Sequence, residues 1–272
     1  MNIDIGFDPI IAQWGSFQLG WHGIFTAIAV LVAVQVAVYL GEKEGFLADT
    51  IYAVAGWGIV GGVIGARLFH VADHIPYYLA NPLLIPAVWE GGIAIYGAFI
   101  GGLIGGGIAA VRERLPIWRL LDIAAPAMLV GQAIGRLGCL SNGDAWGAAA
   151  AGCKYCLTLT YQHPNDLLPD DLRGVPTQPY PLYEILCEIV LLGILYLARD
   201  SLARVPGVRF LVAAIGYAVI RFGLTFFREE TVIAFGLQEA QVIALITGAI
   251  CLALLGWRLA RAPQPATQAV EP

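Results

Sequence analysis

The segment from Gly135 to Gly147, GRLGCLSNGDAWG, brings chemically active side chains close together at the end of a long apolar run. It holds Arg136, Asn142 and Asp144 among four glycines. An arginine at the end of a membrane span can bind an anionic headgroup through charge-assisted hydrogen bonds, and neighbouring glycines let backbones approach closely. The segment therefore predicts a site for an anionic lipid.

The composition indicates an integral membrane protein. The chain is 58% hydrophobic and 13% charged, with a mean hydropathy of +0.73, whereas soluble domains average about 25% charged residues. Its net charge is −5 and its basic residues are scattered. The sequence therefore contains no basic stripe that would bind nucleic acid.

Seven apolar segments approach the roughly 20 residues that a helix needs to cross a bilayer. We therefore predict an all-α integral membrane protein, with a bundle of about seven transmembrane helices. Residues 1–261 form one membrane domain, with residues 140–181 as an external loop region and residues 262–272 as a disordered cytoplasmic tail. The predicted spans are 17–40, 50–72, 87–111, 118–139, 182–198, 208–227 and 237–257.

The distribution of lysine and arginine predicts the orientation of these spans. With the N-terminus outside, nine basic residues fall in cytoplasmic connections and three, Lys154, Arg173 and Arg228, fall outside. The excess of basic residues on the cytoplasmic side predicts that the N-terminus and the 140–181 loop face outward. It also predicts that the C-terminus is cytoplasmic.

Three arginines fall inside the spans or at their ends, where a charge costs about 2.5–3.5 kcal/mol at the helix centre. All three lie at one depth, in the outer half of the membrane. The other polar residues at that depth complete a predicted outer-leaflet site: it contains Arg67, Arg136, Arg221, His22, Glu90, Tyr96, Tyr183 and Glu184. The inner half offers only Asp122, near the interface.

Structural roles compete with this interpretation. Arg67 could pair with Glu90 or Glu184 simply to hold the bundle, and Arg67 or Arg228 could snorkel to the interface. Glu184 and Glu188 share a helix face and would repel if both were ionised, so we expect Glu184 to pair with an arginine.

Helical spacing places Arg221, Thr225 and Arg228 on one face, where two arginines could hold a phosphate.

Most glycines in the spans have a packing role. Gly58 and Gly62, and the set at 97, 101 and 105, follow the small-xxx-small pattern of closely packed membrane helices. Gly91 and Gly92 are different, because they could loosen the third span where it meets a cavity.

Cys153 and Cys156 could form a disulfide on an outward loop. The sequence shows no metal-ligand spacing, and we expect no metal or other cofactor.

Several motifs, in order, resemble those of the prolipoprotein diacylglyceryl transferase family. Besides the central segment they are Trp21-His22-Gly23, Gly65-Ala66-Arg67, residues 90–97 (EGGIAIYG), residues 179–184 (PYPLYE), Arg221-Phe222 and residues 226–228 (FFR).

The resemblance implies an enzyme of the bacterial cytoplasmic (inner) membrane, with its active site toward the outer leaflet. It would transfer the diacylglyceryl group of phosphatidylglycerol to the lipobox cysteine near the signal peptide of a prolipoprotein. The products would be a thioether and glycerol 1-phosphate. The predicted catalytic residues are Arg136, Arg221, Tyr96 and His22; the predicted substrate-binding residues are Arg136, Arg67, Asn142, Asp144, Gly147, Tyr183, Glu184 and Arg228.

This chain departs from the family pattern at five positions. Tyr96 stands where the family usually has a histidine, proposed as the base, and His22 stands where it usually has a tyrosine. We hypothesise that the two have exchanged places across one cavity. Cys139 replaces an asparagine, Asp144 a glutamate and Thr225 a glutamate.

The alternative function is a diverged, non-catalytic lipid carrier or transporter that uses the same arginines. A transporter needs a polar route to both faces, and the apolar inner half of the bundle favours an enzyme. A structural scaffold would not explain three arginines at one depth.

Overall fold

The computed structural model describes residues 1–15, 17–88, 91–92, 94–150, 152, 156–228 and 232–261, without the side chains of Ile95, Tyr96 and Ala234. The predicted tail, 262–272, lies outside the described residues. Long helices dominate the described part, as predicted for an integral membrane protein.

The longer helices are α1 (Trp21–Lys43), α2 (Ala48–Asp73), α4 (Ile95–Arg112), α5 (Ile117–Asn142), α6 (Tyr180–Leu197), α8 (Val208–Leu224) and α9 (Glu239–Ala260). Two short helices are α3 (Ile75–Ala80) and α7 (Arg199–Leu202), and 3-10 turns cover Pro82–Leu84 and Thr225–Phe227. Six helices in the described residues are long and apolar enough to span a membrane. The described apolar part of α4, Gly97–Arg112, is shorter.

The prediction of an all-α chain is wrong for the connecting segments, which contain short strands. The strands are β1 (Asn2–Ile5), β2 (Ile10–Trp14), β3 (Phe17–Gly20), β4 (Thr158–Tyr161), β5 (Val232–Ala234) and β6 (Leu237–Gln238). β1 pairs in parallel with β4, and the pairs β2–β3 and β5–β6 are antiparallel. Pairing between the strands provides hydrogen-bond partners for backbone N–H and C=O groups that lie outside the helices.

The parallel pair joins the N-terminal segment to the segment between α5 and α6. We call the end of the bundle that carries these segments the head end. Tyr161 of β4 donates a hydrogen bond from Oη to the Leu140 carbonyl near the end of α5, at 3.0 Å. Burial raises the pKa of this phenol well above its ordinary value. The pair thus anchors the head segments to the last turn of α5.

The third predicted span begins too early, because α4 starts only at Ile95. Gly91 and Gly92 precede it with φ angles of 84° and 72°, a left-handed conformation that favours glycine and does not continue a helix. These glycines were predicted to loosen the third span. In the structure they precede the helix and prevent it from starting earlier. The first predicted span also begins early, since Phe17–Gly20 is strand β3.

Glycines let α2 and α4 approach to backbone contact, as the small-xxx-small pattern predicts. On α4 the close positions are the predicted 97, 101 and 105; on α2 the predicted Gly62 is close, with its Cβ position 3.2 Å from the Ala98 carbonyl oxygen, but the closest are Gly61 and Gly65, which were not predicted. A Cβ on Gly65 would lie 2.2 Å from the Gly97 carbonyl oxygen, whereas one on Gly58 would lie 3.6 Å from the nearest atom.

Gly101→Ala is expected to destabilise the protein by about 1–3 kcal/mol, the usual cost of overpacking. The added Cβ would lie 2.1 Å from the Gly61 carbonyl oxygen, and neither backbone can yield without separating the helices. Gly107→Ala on the same helix is the control, because nothing lies within 4 Å of its Cβ position. Thermal unfolding in detergent measures both, and equal stability would contradict the packing described.

Candidate functional site

Two arginines from different helices share one buried carboxylate near the head end of the bundle. Glu184, in the second turn of α6, is 1% exposed. Arg136 of α5 contacts it twice, with Nε 2.6 Å from Oε2 and Nη2 3.0 Å from Oε1. Arg221 of α8 donates from Nη1 to Oε1 at 2.9 Å. Glu184 therefore pairs with two arginines, where the sequence predicted one.

The two arginines and Glu184, here called the arginine pair cluster, keep an unbalanced charge. Two cations face one carboxylate, which leaves a net positive charge on a group that is mostly removed from water. The arginine side chains are 20% and 22% exposed, so a ligand can reach them. In the described residues, Nη1 of Arg136 has only the Cys139 sulfur as a partner, at 3.7 Å. The cluster can therefore accept one further anion.

Tyr180 joins this cluster, although it is not among the predicted site residues. It is fully buried, and its hydroxyl oxygen accepts a hydrogen bond from Nη1 of Arg221. The Cζ atoms of Arg221 and Arg228 lie 5.7 and 4.8 Å from its ring centroid, within cation–π range. The sequence does contain a signal for Tyr180: it lies four residues before Glu184, a spacing that puts both side chains on one face of α6.

The prediction that Arg221, Thr225 and Arg228 share a helix face holds for Arg221 and Thr225 but is wrong for Arg228, whose backbone is extended. Helix α8 ends at Leu224 and the chain continues as a 3-10 turn to Phe227. The Thr225 hydroxyl donates to the Arg221 carbonyl at 2.6 Å, and the residue is fully buried. The Tyr180 ring, rather than a common helix face, brings Arg228 to Arg221.

A second polar group lies beside the arginine pair cluster, where the start of α1 meets the end of α5. Nδ1 of His22 is 3.5 Å from Oδ2 of Asp144, and Nδ2 of Asn142 is 3.4 Å from the same oxygen. The Cys139 sulfur joins this group and accepts from Arg136. Arg136 thus lies between the two groups. The side chain of Tyr96 lies outside the described residues, so its exchange with His22 stays a prediction.

Glycines create the close contacts that hold this second group together. Helix α5 ends because Gly143 adopts a left-handed φ of 71°, with its N–H bonded to the Cys139 carbonyl, a common helix end. A Cβ on Gly138 would lie 3.1 Å from Cα of His22. The α1–α5 contact therefore needs glycine at this position.

Gly147 and Tyr183 meet through Gln178. A Cβ on Gly147 would lie 2.5 Å from both Cβ and the carbonyl oxygen of Gln178. Gln178 accepts a hydrogen bond from the Tyr183 hydroxyl at 2.9 Å, and the Tyr183 ring packs edge-on against Phe227. These contacts fix the start of α6, the helix that carries Glu184.

Arg67 lies apart from this cluster in its described contacts. It is 6% exposed and donates to the carbonyls of Leu84, Ile85, Gly91 and Gly92. Glu90, one of its predicted partners, lies outside the described residues, and Glu184 is engaged by the other two arginines. The geometry therefore gives Arg67 a clear role in holding the segment before α4.

Glu188, one turn beyond Glu184, is equally buried at 1% exposed. Neither of its carboxylate oxygens has a hydrogen-bond partner in the described residues. Among the described residues, only Glu184 of the two forms ion pairs with the arginines. The two carboxylates predicted to repel are therefore in very different environments.

Of the cysteines, Cys156 is disulfide-bonded, and Cys153, its predicted partner, lies outside the described residues. Cys139, Cys187 and Cys251 are free.

The opposite end of the bundle holds its own ion pairs. Arg209 of α8 lies 3.0 Å from Glu44, and Asp122 of α5 accepts from the N–H groups of Gly207 and Phe210 at the start of α8. Asp122 thus has a structural role, because it satisfies free donors at a helix N-terminus.

Comparison with known proteins gives a consistent result. The family model described as prolipoprotein diacylglyceryl transferase matches residues 9–257. A phosphatidylglycerol–prolipoprotein diacylglyceryl transferase of Dehalococcoides mccartyi (strain BAV1) is 34% identical over 264 residues, covering 96% of this chain and 97% of the relative. Proteins of the same name from Lactiplantibacillus plantarum and Nostoc sp. are 34% and 32% identical, and the matches cover 95% and 93% of this chain and 92% and 90% of the relatives.

Proposed function

The chain belongs to the prolipoprotein diacylglyceryl transferase family, a family of membrane transferases, and from this membership we propose its reaction. It transfers the diacylglyceryl group of phosphatidylglycerol to the lipobox cysteine of a prolipoprotein. The sulfur forms a thioether, and glycerol 1-phosphate leaves. This is the first step of bacterial lipoprotein maturation.

The observation that carries the proposal is the positive charge left on the arginine pair cluster. Phosphatidylglycerol has one phosphodiester anion, which matches the charge left when Glu184 neutralises one of the two arginines. Arg136 and Arg221 are the proposed phosphate ligands, and Arg228 supports them across the Tyr180 ring. Planar guanidinium groups suit a phosphate because they can donate two parallel hydrogen bonds.

The same cations favour the chemical step. The acceptor sulfur attacks the terminal glycerol carbon of the diacylglyceryl group, and the carbon–oxygen bond to the phosphate breaks. Its electrons pass to the phosphate oxygen, so negative charge on the leaving group grows toward the transition state. Arginines fixed beforehand by Glu184 and Tyr180 stabilise this growing charge more than the charge of the ground state.

His22 and Asp144 are the proposed acceptors for the proton of the attacking thiol. A free cysteine thiol has a pKa of about 8.5, so it must lose its proton to become a strong nucleophile. Asp144 lies 3.5 Å from Nδ1 of His22 and can orient the ring, which leaves Nε2 as the base. Tyr96 remains the second candidate for this step.

The remaining predicted residues bind substrate around this centre. We propose that Asn142, Asp144, Gly147 and Tyr183 shape the head side of the site. Arg67 supports the site indirectly, because its hydrogen bonds hold the segment before α4 in place. The head end faces outward, with the N-terminus, and the C-terminus is cytoplasmic. The protein thus works in the outer leaflet of the bacterial cytoplasmic membrane, where the lipid donor and the signal-peptide helix approach through the bilayer.

A lipobox peptide tests the proposed reaction. Purified protein in vesicles containing phosphatidylglycerol should add one diacylglyceryl group to the peptide, detected by mass spectrometry. A peptide with serine in place of the lipobox cysteine is the control and should gain no mass. If folded protein binds the lipid without modifying the peptide, the transferase proposal fails and a lipid carrier is indicated.

His22→Ala is expected to lower the transfer rate by about 100- to 10,000-fold, the usual contribution of general acid–base catalysis. His163→Ala is a matched control, because His163 also lies beside an aspartate, with Nδ1 3.8 Å from Oδ1 of Asp8, but belongs to the head segment. Initial rates at saturating peptide measure the effect. An unchanged rate in His22→Ala would remove His22 from the mechanism.

A further inference from the structure

Three potential metal ligands converge beside the arginine pair cluster. The ligand atoms of His22, Cys139 and Asp144 all lie within 4.8 Å of one another. They come from the first turn of α1, the last turn of α5 and the segment just after it. We call these three residues the His-Cys-Asp cluster. No regular spacing in the sequence reveals it, because the fold alone brings α1 to α5.

The chemistry of the three donors fits a thiophilic divalent cation. Imidazole nitrogen, thiolate sulfur and carboxylate oxygen are the ligands that Zn²⁺ takes in proteins, with bonds of about 2.0–2.3 Å. In a tetrahedral site such bonds put nitrogen and oxygen ligands about 3.4 Å apart. The observed distance from Nδ1 of His22 to Oδ2 of Asp144 is 3.5 Å. The Cys139 sulfur lies within 4.8 Å of the other two ligand atoms, so an inward shift of at most about 1 Å completes the three ligands.

Two of these side chains also have buried polar atoms without hydrogen-bond partners. In the described residues, Nδ1 of His22 and Oδ1 of Asp144 are inaccessible to solvent and make no hydrogen bond. Buried polar atoms are nearly always satisfied, because leaving one unpaired costs free energy. A cation bound between Nδ1 of His22 and the carboxylate would satisfy the imidazole nitrogen and neutralise the charge that Oδ1 and Oδ2 of Asp144 share.

Charge and access are compatible with a bound cation. A thiolate and a carboxylate balance the charge of a divalent ion. Arg136 contacts Glu184 through Nε and Nη2, and its Nη1 donates to the Cys139 sulfur at 3.7 Å, a contact that helps to stabilise the thiolate form. The His22 side chain is 40% exposed, so an ion can enter from the head side. Three protein ligands leave the fourth tetrahedral position for water, as in open zinc sites.

We propose that His22, Cys139 and Asp144 bind a thiophilic divalent cation such as Zn²⁺, and that occupancy inhibits transfer. On binding, the Cys139 thiol releases its proton to solvent and its sulfur bonds to the metal. His22 and Asp144 become metal ligands, so they no longer act together on the acceptor thiol. The proposal that these residues bind a cation is independent of the proposed function. The proposal that the bound cation inhibits transfer rests on the proposed function.

Metal binding is tested first, without any activity measurement. Purified full-length protein is titrated with Co²⁺ alone, and a thiolate-to-metal charge-transfer band reports coordination by sulfur. Wild type should show the band, and added Zn²⁺ should remove it by competition. Cys139→Ala should lose the band. Cys251→Ala should keep it, because Cys251 is a free, buried cysteine on α9 outside the cluster. No band in wild type, or a band kept in Cys139→Ala, overturns the site.

Inhibition is then tested in the lipobox assay, with each variant compared with its own metal-free rate. Zn²⁺ should inhibit wild type and Cys251→Ala at the same concentration. Cys139→Ala should need a concentration higher by more than about tenfold, since the loss of even a second-shell partner weakens metal binding by 10- to 100-fold. Equal inhibition of all three proteins overturns the regulatory role. If no protein transfers lipid, the cobalt band still decides the binding site, and only the proposed function fails.

Discussion

Arg136→Ala is expected to lower the transfer rate by at least about 100-fold, because removal of one preorganised donor to a developing oxyanion already costs that much. Arg136 holds Glu184 by two contacts and still presents Nη1 toward the second polar group. Arg136 therefore links the arginine pair cluster to the group that contains His22, through the Cys139 sulfur. Initial rates in phosphatidylglycerol vesicles measure the loss.

Arg136→Lys is the informative companion variant. Lysine keeps the charge but cannot donate in parallel from a planar fork, so we expect a rate between those of wild type and Arg136→Ala. Thermal unfolding shows whether each variant is folded. A folded Arg136→Ala protein that transfers at the wild-type rate would contradict the proposed phosphate site.

Glu184→Gln is expected to cause the largest loss of stability, about 3–5 kcal/mol, the usual cost of removing one partner from a buried ion pair. The substitution removes the only acidic partner of both arginines in the described residues and leaves two cations side by side. Their mutual repulsion adds to the cost of keeping them away from water. Chemical denaturation in detergent gives the change in unfolding free energy.

Glu188→Gln is the matched control for this variant. It lies one turn along the same helix and is equally buried, but its carboxylate oxygens have no hydrogen-bond partner in the described residues. Glutamine removes no ion pair there, so we expect a much smaller change in stability. If both variants lose stability equally, burial of a carboxylate would explain the result, rather than its pairing with arginine.

The positions of the long helices could be predicted because they depend on local composition. A run of apolar residues must form its hydrogen bonds internally in lipid, so the limits of most spans follow from the sequence within a few residues. The shared depth of Arg136, Glu184 and Arg221 also follows from these limits. Their convergence was therefore predictable, although the double pairing of Glu184 was not.

Other features depend on contacts that no local pattern specifies. Arg67 bonds to main-chain carbonyls, which any sequence supplies, so its partners could not be identified from residue types. The closest approach at Gly61 and Gly65, rather than at the predicted Gly58, reflects the rotation of α2 against α4. The His-Cys-Asp cluster depends on the approach of α1 to Gly138 of α5.

The most direct test of the phosphate site compares Arg221→Ala with Arg209→Ala, two arginines at opposite ends of α8. They are closely matched: the side chains are 22% and 14% exposed, and their ion pairs with glutamate measure 2.9 and 3.0 Å. The transfer rate from phosphatidylglycerol to the lipobox peptide is measured for both as folded proteins. We predict that Arg221→Ala loses transfer by about 100-fold or more, while Arg209→Ala keeps most of it. Equal rates in the two variants would contradict a phosphate site at the head end.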